Sequence, residues 1–242
     1  MKIRDNIRKT GFGKWLARLL LMKLPLAFIF LTVLWVLVLK WVPVWVTPLM
    51  ISRSMEYRND DDFRTRKQWK SFDDISPELA MAVIASEDNL FIEHNGFDWK
   101  EMKKAIEEHR EKGKKLRGAS TISQQTAKNV FLFPDRTFVR KAFEAYFTIL
   151  IELIWGKERI LEVYLNVAEM GKGIYGAEAA AQEFFNKGAS RLTRREASII
   201  AACLPNPLKR HADKPSQYVI KRAGQISSLI PKIAYPEWIS RK

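Results

Sequence analysis

The stretch "SPELAMAVIASED" (Ser76–Asp88) decides how the rest of the chain is read. Ser76 is an N-cap residue by type, and Pro77 suits the first helical position. Ala80, Val83, Ile84 and Glu87 recur at i, i+3, i+4 and i+7, so they share one helix face. An apolar stripe thus ends in a carboxylate, with a second acid, Asp88, directly after it. Two readings stand open at this point. Either Glu87 points to water at a helix C-terminus, or it is partly desolvated. Desolvation disfavours the charged form and poises a carboxyl as a general base or acid.

Downstream lies "ASTISQQTAKNVFLF" (Ala119–Phe133), as polar as the first stretch is apolar. Thr121 with Gln124 three residues on is a capping-box pattern. Ser120, Gln124 and Lys128 are spaced by four and form one polar line, with Gln125 and Asn129 beside it. Ile122, Ala127 and Val130 supply the buried side. Free backbone N–H groups, the helix dipole, a hydroxyl and a lysine together suit a phosphate or diphosphate. The alternative is an ordinary solvated face, although such faces usually carry Glu/Lys pairs rather than amides.

Further on, "RTFVRKAFEAYFTILIELIWGKERILEVYLNVAEMG" (Arg136–Gly171) is strongly helical and broken at Gly156. Phe143, Phe147, Leu150, Ile151 and Ile154 read as its core stripe. Glu144 stands amid Arg136, Arg140 and Lys141; an exposed i,i+4 pair with Arg140 would contribute little. Gly171-Lys172-Gly173 has neither phosphate-loop nor dinucleotide spacing. "TRREASIIAACLPNP" (Thr193–Pro207) has a second capping box, Thr193 with Glu196, and a stop at Pro205 and Pro207. A basic amphipathic helix is expected over 215–229. Convincing alternating strands are missing, so the fold class expected is mainly α.

The N-terminal part reads differently. Leu24–Val46 is apolar apart from Lys40, long enough to span the hydrocarbon layer with some tilt. Lys40 can snorkel to the interface, and Trp41 and Trp45 lie at the same end. The first 23 residues carry seven Lys/Arg against the single acid Asp5. This asymmetry predicts a basic cytoplasmic tail (1–23), a retained signal anchor (24–46) and a catalytic domain on the outer, periplasmic face of the cytoplasmic membrane. Residues 47–74 read as a charged, aperiodic membrane-proximal linker, and 75–242 as the globular domain.

The formal net charge of +14 implies an anionic partner. With a membrane segment present, lipid head groups or a phosphate-bearing substrate are expected, not nucleic acid. Cys203 is the only cysteine, which excludes an intrachain disulfide, and its apolar surroundings place it in the core. His94, His109 and His211 show no metal-ligand spacing.

Taken in order, "EDNLFIEHNGFD", "GASTISQQTAKN", "RKAFEAYFTILIE", "KERILEVYLN" and "RREASIIAACLPNP" resemble the peptidoglycan glycosyltransferases of glycosyltransferase family 51, most closely its monofunctional members. The motifs run from about residue 75 to 207. The resemblance implies a lysozyme-like, mostly helical domain that polymerises lipid II, an undecaprenyl-diphosphate-linked disaccharide-pentapeptide, into glycan strands with inversion at C1. By position, Glu87 corresponds to the family's general base. Glu144 corresponds to its second glutamate, which holds either a divalent metal (Mg or Mn) or the basic groups that stabilise the departing diphosphate. Ser120, Gln124, Gln125, Lys128, Asn129, Arg136 and Arg140 fall on positions like the family's donor-site lining. Asp88 and His94 are expected to shape the cleft. Other cell-wall synthesis proteins are expected partners. Glu169 stands where many bifunctional relatives carry an aromatic residue, so no substrate contact is carried over to it.

No Ser-x-x-Lys occurs, and the one Lys-Thr-Gly (Lys9–Gly11) lies in the basic tail, so no transpeptidase activity is expected. Two other readings compete: a wall-cleaving enzyme of lysozyme or lytic type, and a cationic membrane scaffold. The first needs no diphosphate cradle. The second needs no Glu87.

Overall fold

The structure is a computed structural model and describes residues 2–112 and 120–240. The chain divides into two units, Met1–Val42 and Pro43–Lys242. The first is a single helix, α1 (Lys2–Leu39). Its apolar part, Leu21–Leu39, is 19 residues long. At about 1.5 Å per residue that is roughly 28 Å, the thickness of a hydrocarbon core. Sequence hydropathy carries the expected span on to Val46, but the helix stops at Leu39. Pro43 lies just beyond, and the residues before a proline are biased away from helix.

The second unit is built of short helices: α2 (Pro48–Glu56), α3 (Pro77–Glu87), α4 (Trp99–Lys112), α5 (Ile122–Phe131), α6 (Phe138–Ile154), α7 (Lys157–Val167), α8 (Gly176–Phe185), α9 (Arg194–Cys203), α10 (Gln217–Leu229) and a final turn, α11 (Glu237–Ser240). The expected caps are all present. Ser76 caps α3, and capping boxes close the starts of α5 and α9. Ser216 caps α10.

Helix α3 is the centre of this unit. The stripe on one face understates its burial, because every residue from Leu79 to Ala85 is buried. A helix apolar all round has no solvent face to offer. It packs against α9 and α10, and Ser86 Oγ donates to the Ala201 carbonyl of α9 at 3.2 Å. Cys203 is buried in α9, as its apolar neighbours predict. Helix α5 packs against α2, α6 and α7. In α6, Phe147 and Ile151 are buried as expected, and Phe131 stacks on Phe147 with ring centroids 4.4 Å apart. Phe143, read as core, is exposed. It shares the first two turns of α6 with Arg140 and Lys141, one turn before the packed part begins.

The supposed linker is folded into this unit. Beyond α2, Arg66–Lys67 forms strand β1, which pairs in parallel with β3 (Ile174–Tyr175). Strand β2 (Glu169–Gly171) completes a three-stranded sheet of order β1-β3-β2. Gly173 turns the β2–β3 hairpin with φ of +70°, and a Cβ there would stand 2.4 Å from the Arg64 carbonyl oxygen. Asn166 of α7 then ties down the segment after β1. Its side chain accepts from the Lys70 N–H and donates to the Lys70 carbonyl, both at 2.8 Å. Backbone bonds of this kind leave no periodic trace in the side chains. Strands of two or three residues are likewise too short to show alternation, which is why the sheet was not expected.

Candidate active site

Glu87 is the last residue of α3, where the central helix leaves the core, and it is bonded to Gln125, which lines a cleft. It is half-buried, and desolvation holds its pKa above that of an ordinary carboxylate. Gln125 of α5 works against that shift by donating from Nε2 to Glu87 Oε2 at 2.9 Å. The Arg222 charge, from α10, works in the same direction. Gln125 is itself oriented. The buried Tyr164 of α7 donates its hydroxyl to Gln125 Oε1 at 3.3 Å. Three helices therefore fix one carboxylate through an amide, and the carboxyl is left basic for its kind.

Asp88 caps α3 and does structural work. Its Oδ2 accepts the Ile122 N–H at the start of α5, 3.0 Å away, and His94 Nε2 contacts both of its oxygens at 2.9 and 3.1 Å. His94 Nδ1 in turn accepts the Gly96 N–H. Gly96 has φ of +86°, and its carbonyl accepts from Thr121 Oγ1 at 2.6 Å. The first motif thus grips the N-terminus of the second.

That grip corrects one expectation. Three of the N–H groups at the start of α5 are taken from within the fold and not offered to a phosphate. Asp88 takes the Ile122 N–H, the Thr121 side chain takes that of Gln124, and the Thr121 carbonyl takes that of Gln125. A carboxylate from within the fold already occupies the positive end of the dipole. Ser123 turns to the opposite side and donates to Glu152 Oε1 at 2.5 Å.

The cleft itself has a volume of about 450 Å³. From α5 it is lined by Gln125, Lys128 and Asn129, and from the α5–α6 connection and α6 by Asp135, Arg136 and Arg140. Tyr164, Glu169 and Pro205 close other sides, with Leu49 and Arg53 of α2. Lys128 is half-buried. Desolvation lowers its pKa, and the nearby Glu144 charge works against that. Glu144 is not the weak exposed partner that its spacing suggests. It is buried, with Arg140 Nη1 at 2.6 Å from Oε2 and Lys141 Nζ on Oε1. One buried acid therefore gathers two cations at the rim of the cleft and raises the charge of a third.

The residues present do not fit a resident metal ion. Both Glu144 oxygens already carry cationic partners, and no group of three His, Cys, Asp or Glu side chains is assembled among the described residues. A Mg²⁺ ion held by one or two carboxylates, waters and the substrate's own phosphates needs no such protein cage, so only a resident, protein-ligated ion is disfavoured.

Of the residues singled out in the sequence, Gln125, Lys128, Asn129, Arg136 and Arg140 line this cleft, and Glu87 and Glu144 stand behind them, bonded to Gln125 and Arg140. Gln124 is occupied as the reciprocal cap of α5, its Oε1 accepting the Thr121 N–H at 3.0 Å, and it does not line the cleft. Ser120 is exposed at the entry to α5 and does not line it either. Arg117, Gly118 and Ala119, at the head of the second motif, lie outside the described residues. Sequence reasoning missed Tyr164, which looks like one more apolar-face residue of α7. It also missed Arg53, whose segment looks like a linker.

Comparison with known proteins places this geometry in a class. The transglycosylase family profile matches residues 55–229, and the chain belongs to that family. Its mainly α domain is accordingly of the lysozyme-like helical kind, and the protein is a glycosyl-transferring enzyme. The particular relatives are consistent among themselves. A biosynthetic peptidoglycan transglycosylase of Bacteroides thetaiotaomicron is 58% identical over 205 residues, covering 83% of this chain and 82% of that protein. One from Caulobacter vibrioides is 50% identical over 215 residues, 89% and 91% of the two chains. One from Chromohalobacter salexigens is 46% identical over 230 residues, 94% and 98% of the two chains.

Proposed function

We propose that the enzyme polymerises lipid II into peptidoglycan glycan strands, with Glu87 as general base. The observation that carries this reading is the bond from Gln125 to Glu87. It joins a desolvated carboxylate to the same short helix that presents Lys128 to a cationic cleft.

The reaction follows from that arrangement. The 4-hydroxyl oxygen of the acceptor GlcNAc attacks C1 of the donor MurNAc from the side opposite the diphosphate. The new C1–O4 bond forms as the C1–O bond to the diphosphate breaks, so C1 inverts. The hydroxyl proton passes to the Glu87 carboxylate, and the bonding electron pair leaves with the undecaprenyl diphosphate. A carboxyl held above its ordinary pKa is the stronger base for that transfer. Negative charge grows on the departing diphosphate, and fixed cations in a partly dry cleft stabilise it. Lys128, Arg136 and Arg140 supply that charge in this chain, and Glu144 holds Arg140 and Lys141 in place. No step is assigned to a metal.

The apolar part of α1 is consistent with a single-pass membrane anchor. We place its basic N-terminal side in the cytoplasm and the catalytic unit on the outer face, where the isoprenoid of the substrate stays in the bilayer. We assign no transpeptidase activity to these residues. The direct test is glycan formation from lipid II by the detergent-solubilised protein. Lys128→Ala should weaken donor use while leaving the thermal transition close to wild type. Wild-type turnover in that variant would remove Lys128 from the diphosphate site.

A further inference from the structure

Arg53 lies outside the residues matched by the family profile, in a segment whose sequence reads as linker, yet its side chain lines the same cleft as Lys128 and Arg140. Two carboxylates hold it. Glu169 Oε2 accepts from both Nε and Nη2 at 3.2 Å, and Glu56 Oε2 accepts from Nη1 at 2.6 Å. These partners differ in kind. Glu169 belongs to β2 in the cleft wall, and its side chain is 7% exposed; Glu56 is one turn along α2, and its side chain is 51% exposed. A guanidinium has five N–H donors in a rigid fork. Three are used in these bonds, so two remain, and a third is held only by a solvated neighbour.

We propose that Arg53 is a further substrate-binding residue of the cleft, taking the phosphate oxyanions of the lipid-linked donor, with Glu169 as the residue that positions it. The inference rests on the reading of the cleft as a diphosphate site. Glu169 fixes Arg53 through Nε and Nη2 at the buried end. Nη1 exchanges the exposed Glu56 for a phosphate oxygen, forming the paired contact that arginine makes with such groups. Helix α2 then works as part of the wall of the donor site, together with the cations of α5 and α6. Glu169 gains a role that needs no sugar contact: it aims a cation into the cleft.

The test is direct binding by the full chain in detergent micelles, with undecaprenyl diphosphate as the probe and phosphatidylglycerol as the headgroup comparison. Loss of a charge-assisted contact should weaken undecaprenyl diphosphate about tenfold or more in Arg53→Ala, with partial recovery in Arg53→Lys. Glu56→Ala releases Nη1 and should tighten binding, whereas a purely structural Arg53 would leave it unchanged. Glu169→Gln should weaken binding less than Arg53→Ala does. Unaltered affinity in Arg53→Ala overturns the proposal. If that variant fails to fold, unaltered affinity in Glu56→Ala overturns it. An equal loss for phosphatidylglycerol also overturns it, since Arg53 would then read any lipid headgroup. Binding is measured without turnover, so the two readings separate. A wild type that binds the diphosphate but forms no glycan from lipid II would sink the polymerase reading and leave Arg53 in its role.

Discussion

At Glu87 the requirements of catalysis and of stability oppose each other. Burial raises its pKa above the 4.5 of an unperturbed glutamate. The protonated form is therefore favoured in the folded protein relative to the unfolded one. Stability from this group is greatest at low pH and is lost as pH rises through the folded pKa, where the ionised form must be held partly desolvated. As the proposed base, in contrast, Glu87 must be ionised to work. The rate should fall as pH drops through a pKa above 4.5, which a pH profile of polymerisation would show. Glu87→Gln should abolish glycan formation and raise the thermal transition at neutral pH, because it removes the ionised form and keeps a similar shape. A Gln variant less stable than wild type would mean that the carboxylate is satisfied rather than strained. The sequence showed this residue at the end of an apolar stripe but could not separate a desolvated acid from a solvated one. The distinction depends on Gln125 and Tyr164, which come from other helices.

Between elements, the decisive contacts are those by which one motif caps another. The capping boxes of α5 and α9 and the Ser76 cap were legible, because each is written within four residues. The bond from the Ile122 N–H to Asp88 was not, since it spans 34 positions. It also takes one of the terminal N–H groups on which the expected phosphate cradle depended. Asp88→Ala should destabilise the unit by about 1–3 kcal/mol, the cost of leaving a buried donor unsatisfied, measurable by thermal or chemical denaturation. Thr121→Ala should cost about 1 kcal/mol through the lost cap. A change in Asp88→Ala that reached activity alone would argue that Asp88 acts on substrate and not through α5. The same distinction explains the missed strands and the misread linker. Residues 66–70 are held by β3 and by Asn166, from about a hundred residues further along the chain, and no local pattern marks them.

Across the whole molecule, the charge of +14 and the apolar helix at the N-terminus point to one setting, an anionic substrate at a membrane surface. The class was therefore readable from motif order, and a helix long and apolar enough to anchor the chain from hydropathy. The wall that α2 adds to the cleft was not, because its nine residues show neither a long stripe nor a familiar motif. A chain lacking residues 1–42 should still process a short-tailed, water-soluble lipid II analogue, while losing activity against lipid II embedded in bilayers. Equal loss on both substrates would show that α1 supports the fold of the second unit rather than its placement. The central claim is that a base at the end of α3 and cations from α5 and α6 jointly turn a lipid-linked diphosphate into a leaving group. Its most direct test is a gel of glycan products from lipid II, wild type beside Glu87→Gln, both shown to be folded. Ladders from the wild type and none from the variant are the predicted result; ladders of equal intensity from both would contradict it.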